Sequence, residues 1–246
     1  MSVYERIGAG YATTRRPDQR INRYIREALA NARTVVNVGA GTGSYEPIDR
    51  DVIAVEPAAA MLEQRTAGAA PAVRAIAEAL PFRDRSFDAA LAVCTVHHWT
   101  DLGAGLAELR RVAFRQVIFM CEPAMAARFW LVAEYFPEVH QLPSERSAPS
   151  VADLSEHLAV RSVIPIPVPA DCADGFTGAF WSRPEAYLDP AVQAGMSSLA
   201  QLSPDTLARG VTRLRRDLES GAWDQCHGSL RELLEYDLGY RIVTAA

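Results

Sequence analysis

The chain has 246 residues, 49% of them hydrophobic, enough to bury a full core as one domain with an elaboration. A formal net charge of −5 and a pI near 5.6 count against a duplex-binding surface, and the lack of any lysine excludes Schiff-base chemistry and a Walker-type phosphate loop. There is no apolar signal region and no apolar run of about 18 residues, and Cys94, Cys121, Cys172 and Cys226 form no C-x-x-C pair, so the expectation is a cytoplasmic, reduced, metal-free protein with neither nucleic-acid nor membrane partners.

In chain order, Asp18 after Pro17 is a helix-start signal, and Ile21, Ile25, Ala28 and Leu29 then recur on one helical face. Thr34–Val38 reads as a strand that runs straight into the glycine-rich turn 39–43. Val52–Glu56 is a second strand ending on an acid, Ala72–Ala75 a weak third, Phe87–Cys94 a fourth and Gln116–Glu122 a fifth. Leu102, Leu106, Leu109 and Ala113 make a helix between the last two. Strand and helix in alternation predict a doubly wound, mostly parallel sheet, in which ligands bind beyond the strands' carboxyl ends.

After Glu122-Pro123 the pattern changes. Arg128–Phe136 reads as helical, Val151–Leu158 as a short helix and Val160–Pro169 as a proline-bearing edge strand. Asp171–Trp181 is irregular and aromatic; its Phe176, Phe180 and Trp181 fit a substrate wall and core packing equally well. Leu207, Val211, Leu214 and Leu218 predict one helix, and Leu230, Leu233, Leu234 and Leu238 another, before a closing strand at Tyr240–Thr244. The expected organisation is a cofactor-binding part over residues 1–123. Residues 124–246 complete the sheet and supply a helical cap (about 175–238) on the substrate side.

The glycines stand at Gly39, Gly41 and Gly43, with Ser44 where a dinucleotide fingerprint requires its third glycine. A tight turn followed by Glu56 suits a ligand carrying a ribose, whose hydroxyls donate to the carboxylate. With Ala54–Arg65, Ala77–Phe82, Ser86–Cys94 and His97-His98-Trp99 in one order, the first half resembles the class I S-adenosylmethionine-dependent methyltransferases of the small-molecule type. That resemblance implies a seven-stranded Rossmann-like fold, S-adenosylmethionine as cofactor and a small-metabolite acceptor. It implies cofactor contacts from Gly39, Ala40, Gly41, Glu56, Pro57, Met61, Ala77, Glu78 and Cys94, and from Tyr11 and Arg15 of an N-terminal Tyr-x3-Arg pattern.

Two positions depart from the family pattern. Asn37 stands where an acid often meets the methionine amino group, and Ile76 where an Asp often meets adenine, which leaves the adenine edge to backbone or to Glu78. His97 and His98 are the candidate catalytic residues. A histidine there can take a proton from the acceptor, because its ordinary pKa lies near working pH; the pair can equally be crevice wall, and His98 is the more exposed to the crevice in this reading. Two rivals stay open: a nicotinamide-dependent oxidoreductase, and a degenerate cofactor-binding protein that acts through a partner.

Overall fold

The computed structural model describes residues 15–246. Tyr4 and Tyr11 lie outside the described residues. Among the described residues there are nine strands: β1 (Thr34–Val38), β2 (Asp51–Val55), β3 (Ala72–Val73), β4 (Phe87–Val93), β5 (Ala113–Cys121), β6 (Val160–Pro165), β7 (Val168–Pro169), β8 (Glu235–Tyr236) and β9 (Tyr240–Ala245). Seven form one sheet in the order β3-β2-β1-β4-β5-β9-β6. The first five pair in parallel, and β9 runs antiparallel between β5 and β6.

The longer helices are α1 (Gln19–Leu29), α2 (Leu102–Val112), α3 (Val151–His157), α4 (Pro204–Glu219) and α5 (Ala222–His227). Asp18 caps α1 by accepting from the Arg20 N–H, and Ile21, Ile25, Ala28 and Leu29 are all buried, as their spacing predicts. Successive side chains of β5 go to opposite faces: Val117 and Phe119 join the core under α1, while Ile118 and Met120 join the core under α2. The sheet is therefore covered on both faces. Its parallel strands end at Val38, Val55 and Val93, and the glycine turn, Glu56 and Cys94 follow directly, all at one edge of the molecule.

Three elements differ from expectation. The predicted helix over Arg128–Phe136 is a single π-helical turn, Leu131–Tyr135, closed by the Phe136 N–H on the Leu131 carbonyl. The expected edge strand ends at Pro165, and Val168–Pro169 leaves the sheet to pair with Glu235–Tyr236. The predicted helix through Leu230–Leu238 is absent: a 3-10 turn covers Gly228–Glu232, and the chain then extends into β8. Leu233 and Leu234 face solvent, so tertiary pairing has overridden their apolar spacing. The ribbon is anchored by the Ala170 N–H on the Leu234 carbonyl and by Trp181 stacked on Tyr236.

Candidate active site

The turn after β1 is built by its glycines, each for a different reason. Gly39, at φ +71, packs against Thr95: a Cβ there would lie 1.9 Å from the Thr95 hydroxyl oxygen. Its role is close packing on the end of β4 rather than room for a ligand. Gly41, at φ +53, needs left-handed backbone, and a Cβ there would come within 3.2 Å of the Met61 methyl. Its N–H donates to Glu56 Oε2 at 2.9 Å, while Ala58 N–H donates to Glu56 Oε1 at 2.9 Å. Glu56, nearly fully buried, thus ties the glycine turn to the start of the next helical turn. Each carboxylate oxygen has two lone-pair directions, so the group can hold backbone and accept from ribose hydroxyls together.

Behind the turn lies an ion pair that no sequence motif singles out. Arg65 donates to both oxygens of Glu46, at 2.8 and 2.9 Å, and also to the carbonyls of Gly41 and Ala70. Both side chains are more than nine-tenths buried. Asn37 donates its Nδ2 to the same Glu46 at 3.2 Å, which fixes the amide orientation. Its Oδ1 is buried beside the cleft with no hydrogen-bond partner among the described residues. An acceptor left unmatched in this way costs about 1–3 kcal/mol. A ligand N–H or O–H group could supply the missing donor.

These groups border a cleft of about 870 Å³, large enough for a nucleoside-sized ligand. Arg15, Gly39, Ala40, Gly41, Glu56, Pro57, Met61, Ala77, Glu78, Cys94, His97 and His98 all line it. Of the expected site residues, every described one is therefore brought together. Ile76 also lines the cleft, half exposed. Glu78 is otherwise engaged than expected: its Oε1 accepts the N–H groups of Thr100 and Asp101, at 2.7 and 3.2 Å, and so secures the loop that enters α2. Trp99 is a wall, its ring packed against Gly105, where a Cβ would lie 2.4 Å away.

A second cavity, about 150 Å³, lies beneath the cap and is predominantly apolar. Arg15, Cys94 and His97 line both spaces. Cys94 holds φ +50, a left-handed conformation costly to a side chain, which turns the backbone sharply at this junction. Arg15 is fixed there by a fork on buried Asp174, at 2.7 and 3.2 Å, and Tyr45 donates to the same carboxylate at 3.0 Å. His97 rather than His98 reaches the inner cavity; His98 lines the cleft alone, with its ring centroid 3.9 Å from that of His97. Burial lowers the His97 pKa to about 4, and burial together with His97 holds His98 well below the usual histidine value. Both rings are thus neutral at working pH. Trp181 is core: it is fully buried, donates its indole N–H to the Val168 carbonyl at 3.0 Å and touches neither cavity. Phe176 does line the inner cavity. Among the described residues no group of three or more His, Cys, Asp or Glu could hold a metal ion.

Residues 36–121 match the family model described as "Methyltransferase domain". No curated protein matches the chain. Among solved structures, a protein from Anabaena variabilis ATCC 29413, provisionally named a methyltransferase from an antibiotic biosynthesis pathway, is 32% identical. The match covers 95% of this chain and 99% of that one, with a TM-score of 0.86. Two more distant structures share the fold. The YcgJ protein from Bacillus subtilis is 17% identical, with coverage of 92% and 97% and a TM-score of 0.56. Geranyl diphosphate C-methyltransferase from Streptomyces coelicolor A3(2), crystallised with Mg2+, geranyl diphosphate and S-adenosyl-L-homocysteine, is 12% identical, with coverage of 92% and 77% and a TM-score of 0.52.

Proposed function

This chain belongs to the class I S-adenosylmethionine-dependent methyltransferases, and on that premise we propose that its acceptor is a small, mostly apolar metabolite methylated at the junction of the two cavities. The observation that carries this reading is the sharing of Arg15, Cys94 and His97 between a cofactor-sized cleft and a small inner cavity. About 150 Å³ is the size of cavity that takes a benzene ring, which supports a small acceptor that enters whole.

Glu56 would hold the ribose, Asn37 Oδ1 the methionine ammonium, and Gly41 with Met61 the floor beneath them. When bound, the cofactor supplies a sulfonium methyl group open to displacement by a nucleophile. The chain's own contribution is alignment and exclusion of water, which together can supply several kcal/mol of barrier reduction. Arg15, locked by Asp174, walls the junction. His97, neutral, serves as a hydrogen-bonding wall group that orients the acceptor, and a proton held on a ring with a pKa near 4 would leave at once to solvent.

The test is mass spectrometry of methyl transfer from isotope-labelled S-adenosylmethionine into a metabolite panel, with RNA, DNA and a mixed protein extract beside it. Label in small molecules alone supports the proposal. Label confined to macromolecules would overturn it.

A further inference from the structure

The inner cavity is walled by Met120, Phe129, Val132, Phe176, Met196 and Leu238, and Arg15, His97, His140 and Glu145 are among the charged or titratable side chains that border it. Thr177 and Ser198 satisfy one another, hydroxyl to hydroxyl, at 3.0 Å. The positive charge of Arg15 is matched by Asp174 at 2.7 Å. Glu145 is different. It lies on a short helical turn, Pro143–Arg146, that separates the two spaces: Pro143, Ser144 and Ser147 line the cleft, while Glu145, Ala148 and Pro149 line the inner cavity. No described residue gives the Glu145 carboxylate a hydrogen bond or an ion pair, although it is partly buried against that apolar wall. Burial pushes its pKa up.

A carboxylate taken partly out of water without a cation carries a desolvation cost that a bound cation would offset. A ligand can remove the cost in only a few ways. A second carboxylate would repel it, a neutral hydroxyl would give one hydrogen bond and no charge, and an ammonium would give both charge and short, charge-assisted hydrogen bonds. We propose that Glu145 is the specificity-determining residue of this enzyme and that the acceptor is an amine, bound as its ammonium on Glu145 with its ring-sized apolar body filling the cavity beneath Phe129 and Phe176; for transfer the nitrogen passes one proton to the Glu145 carboxylate, its freed lone pair takes the methyl, and the electron pair of the broken carbon–sulfur bond stays on sulfur. The inference rests on the methyltransferase reading of the same site and adds the chemical class of the substrate.

The experiment is calorimetry on the protein saturated with S-adenosylhomocysteine, at pH 7.5, with three probes of one shape: 2-phenylethylamine, 2-phenylethanol and 3-phenylpropionate. The amine should bind at least tenfold more tightly than the alcohol, and the carboxylate least. Glu145→Gln should erase the amine's advantage while the alcohol is unaffected. Equal binding of amine and alcohol, binding of none of the three, or an amine preference that survives Glu145→Gln would overturn the proposal. Binding of S-adenosylhomocysteine checks the fold of each variant, and Glu145→Ser stands in should Glu145→Gln not fold. Failure of the unaltered protein to bind S-adenosylhomocysteine would instead overturn the methyltransferase reading, so the two failures are distinct.

Discussion

Glu56 carries two backbone N–H groups and, in the proposed function, a pair of ribose hydroxyls, so its replacement acts on both the turn and the ligand. Hydrogen bonds to a charged group are worth about 1.5–3 kcal/mol each. Glu56→Ala should therefore weaken S-adenosylhomocysteine binding at least tenfold by calorimetry, and an unchanged affinity would remove Glu56 from the cofactor site. His97 makes the opposite kind of prediction. A general base is worth about 100- to 10,000-fold, but a ring whose pKa burial lowers to about 4 gives no pH limb between pH 6 and 8. His97→Asn should thus cost less than about tenfold in turnover, and the unaltered enzyme's rate should show no histidine limb in that range. A larger loss, with such a limb that the variant lacks, would restore the base. These residues could be found in the sequence because strand, turn and acid are local. Arg65 with Glu46, Asp174 and Glu145 could not be, because each owes its role to partners or walls far along the chain.

At the scale of elements, the parallel strands and α1 were legible because burial on both sheet faces forces continuous apolar runs, and burial of one helix face forces apolar spacing. The cap was legible only in part. α4 falls where Leu207, Val211, Leu214 and Leu218 place it, but the four leucines from 230 to 238 do not form a helix, since main-chain pairing of β8 with β7 decides that segment. Contacts across the cap decide the π turn too. Gly210 of α4 sits against the Phe136 ring, where a Cβ would lie 2.2 Å from Cε1 and 2.7 Å from the Tyr135 carbonyl oxygen. Alanine in a helix interior ordinarily gains about 1 kcal/mol over glycine. Overpacking of about 1–3 kcal/mol outweighs that gain here, because backbone as well as a ring must move. Gly210→Ala should lower the melting temperature, with S-adenosylhomocysteine affinity little changed since Gly210 borders neither cavity. A raised melting temperature would mean that the cap is looser than its packing indicates.

The whole molecule is tied together by charged groups that join the start of the described chain to the cap loop. Asp18 accepts from Arg20 and from the Ala173 N–H, Arg20 reaches Asp171, and Arg15 and Tyr45 converge on Asp174. Cofactor-side and acceptor-side walls therefore share one anchor, and protonation should loosen both. Burial raises the Asp18 pKa, but the hydrogen bonds from Arg20 and Ala173 outweigh it and leave the group at about 2, below its ordinary 3.8. A carboxyl lowered on folding adds stability above its unfolded value, and that stability is lost as pH falls through the folded one. For His97, burial holds the pKa at about 4 against an ordinary 6.5. The unfolded chain takes up that proton first, so stability begins to fall as pH drops below 6.5 and levels only near 4. The two groups together predict a two-stage loss in acid: one between about pH 6.5 and 4, from His97, and a second between about pH 4 and 2, as Asp18 lets go of Arg20. Urea unfolding midpoints followed from pH 8 to pH 2 should show both stages. His97→Asn should shrink the first and leave the second. A midpoint that holds steady down to pH 4 would mean that His97 is not buried as a neutral ring.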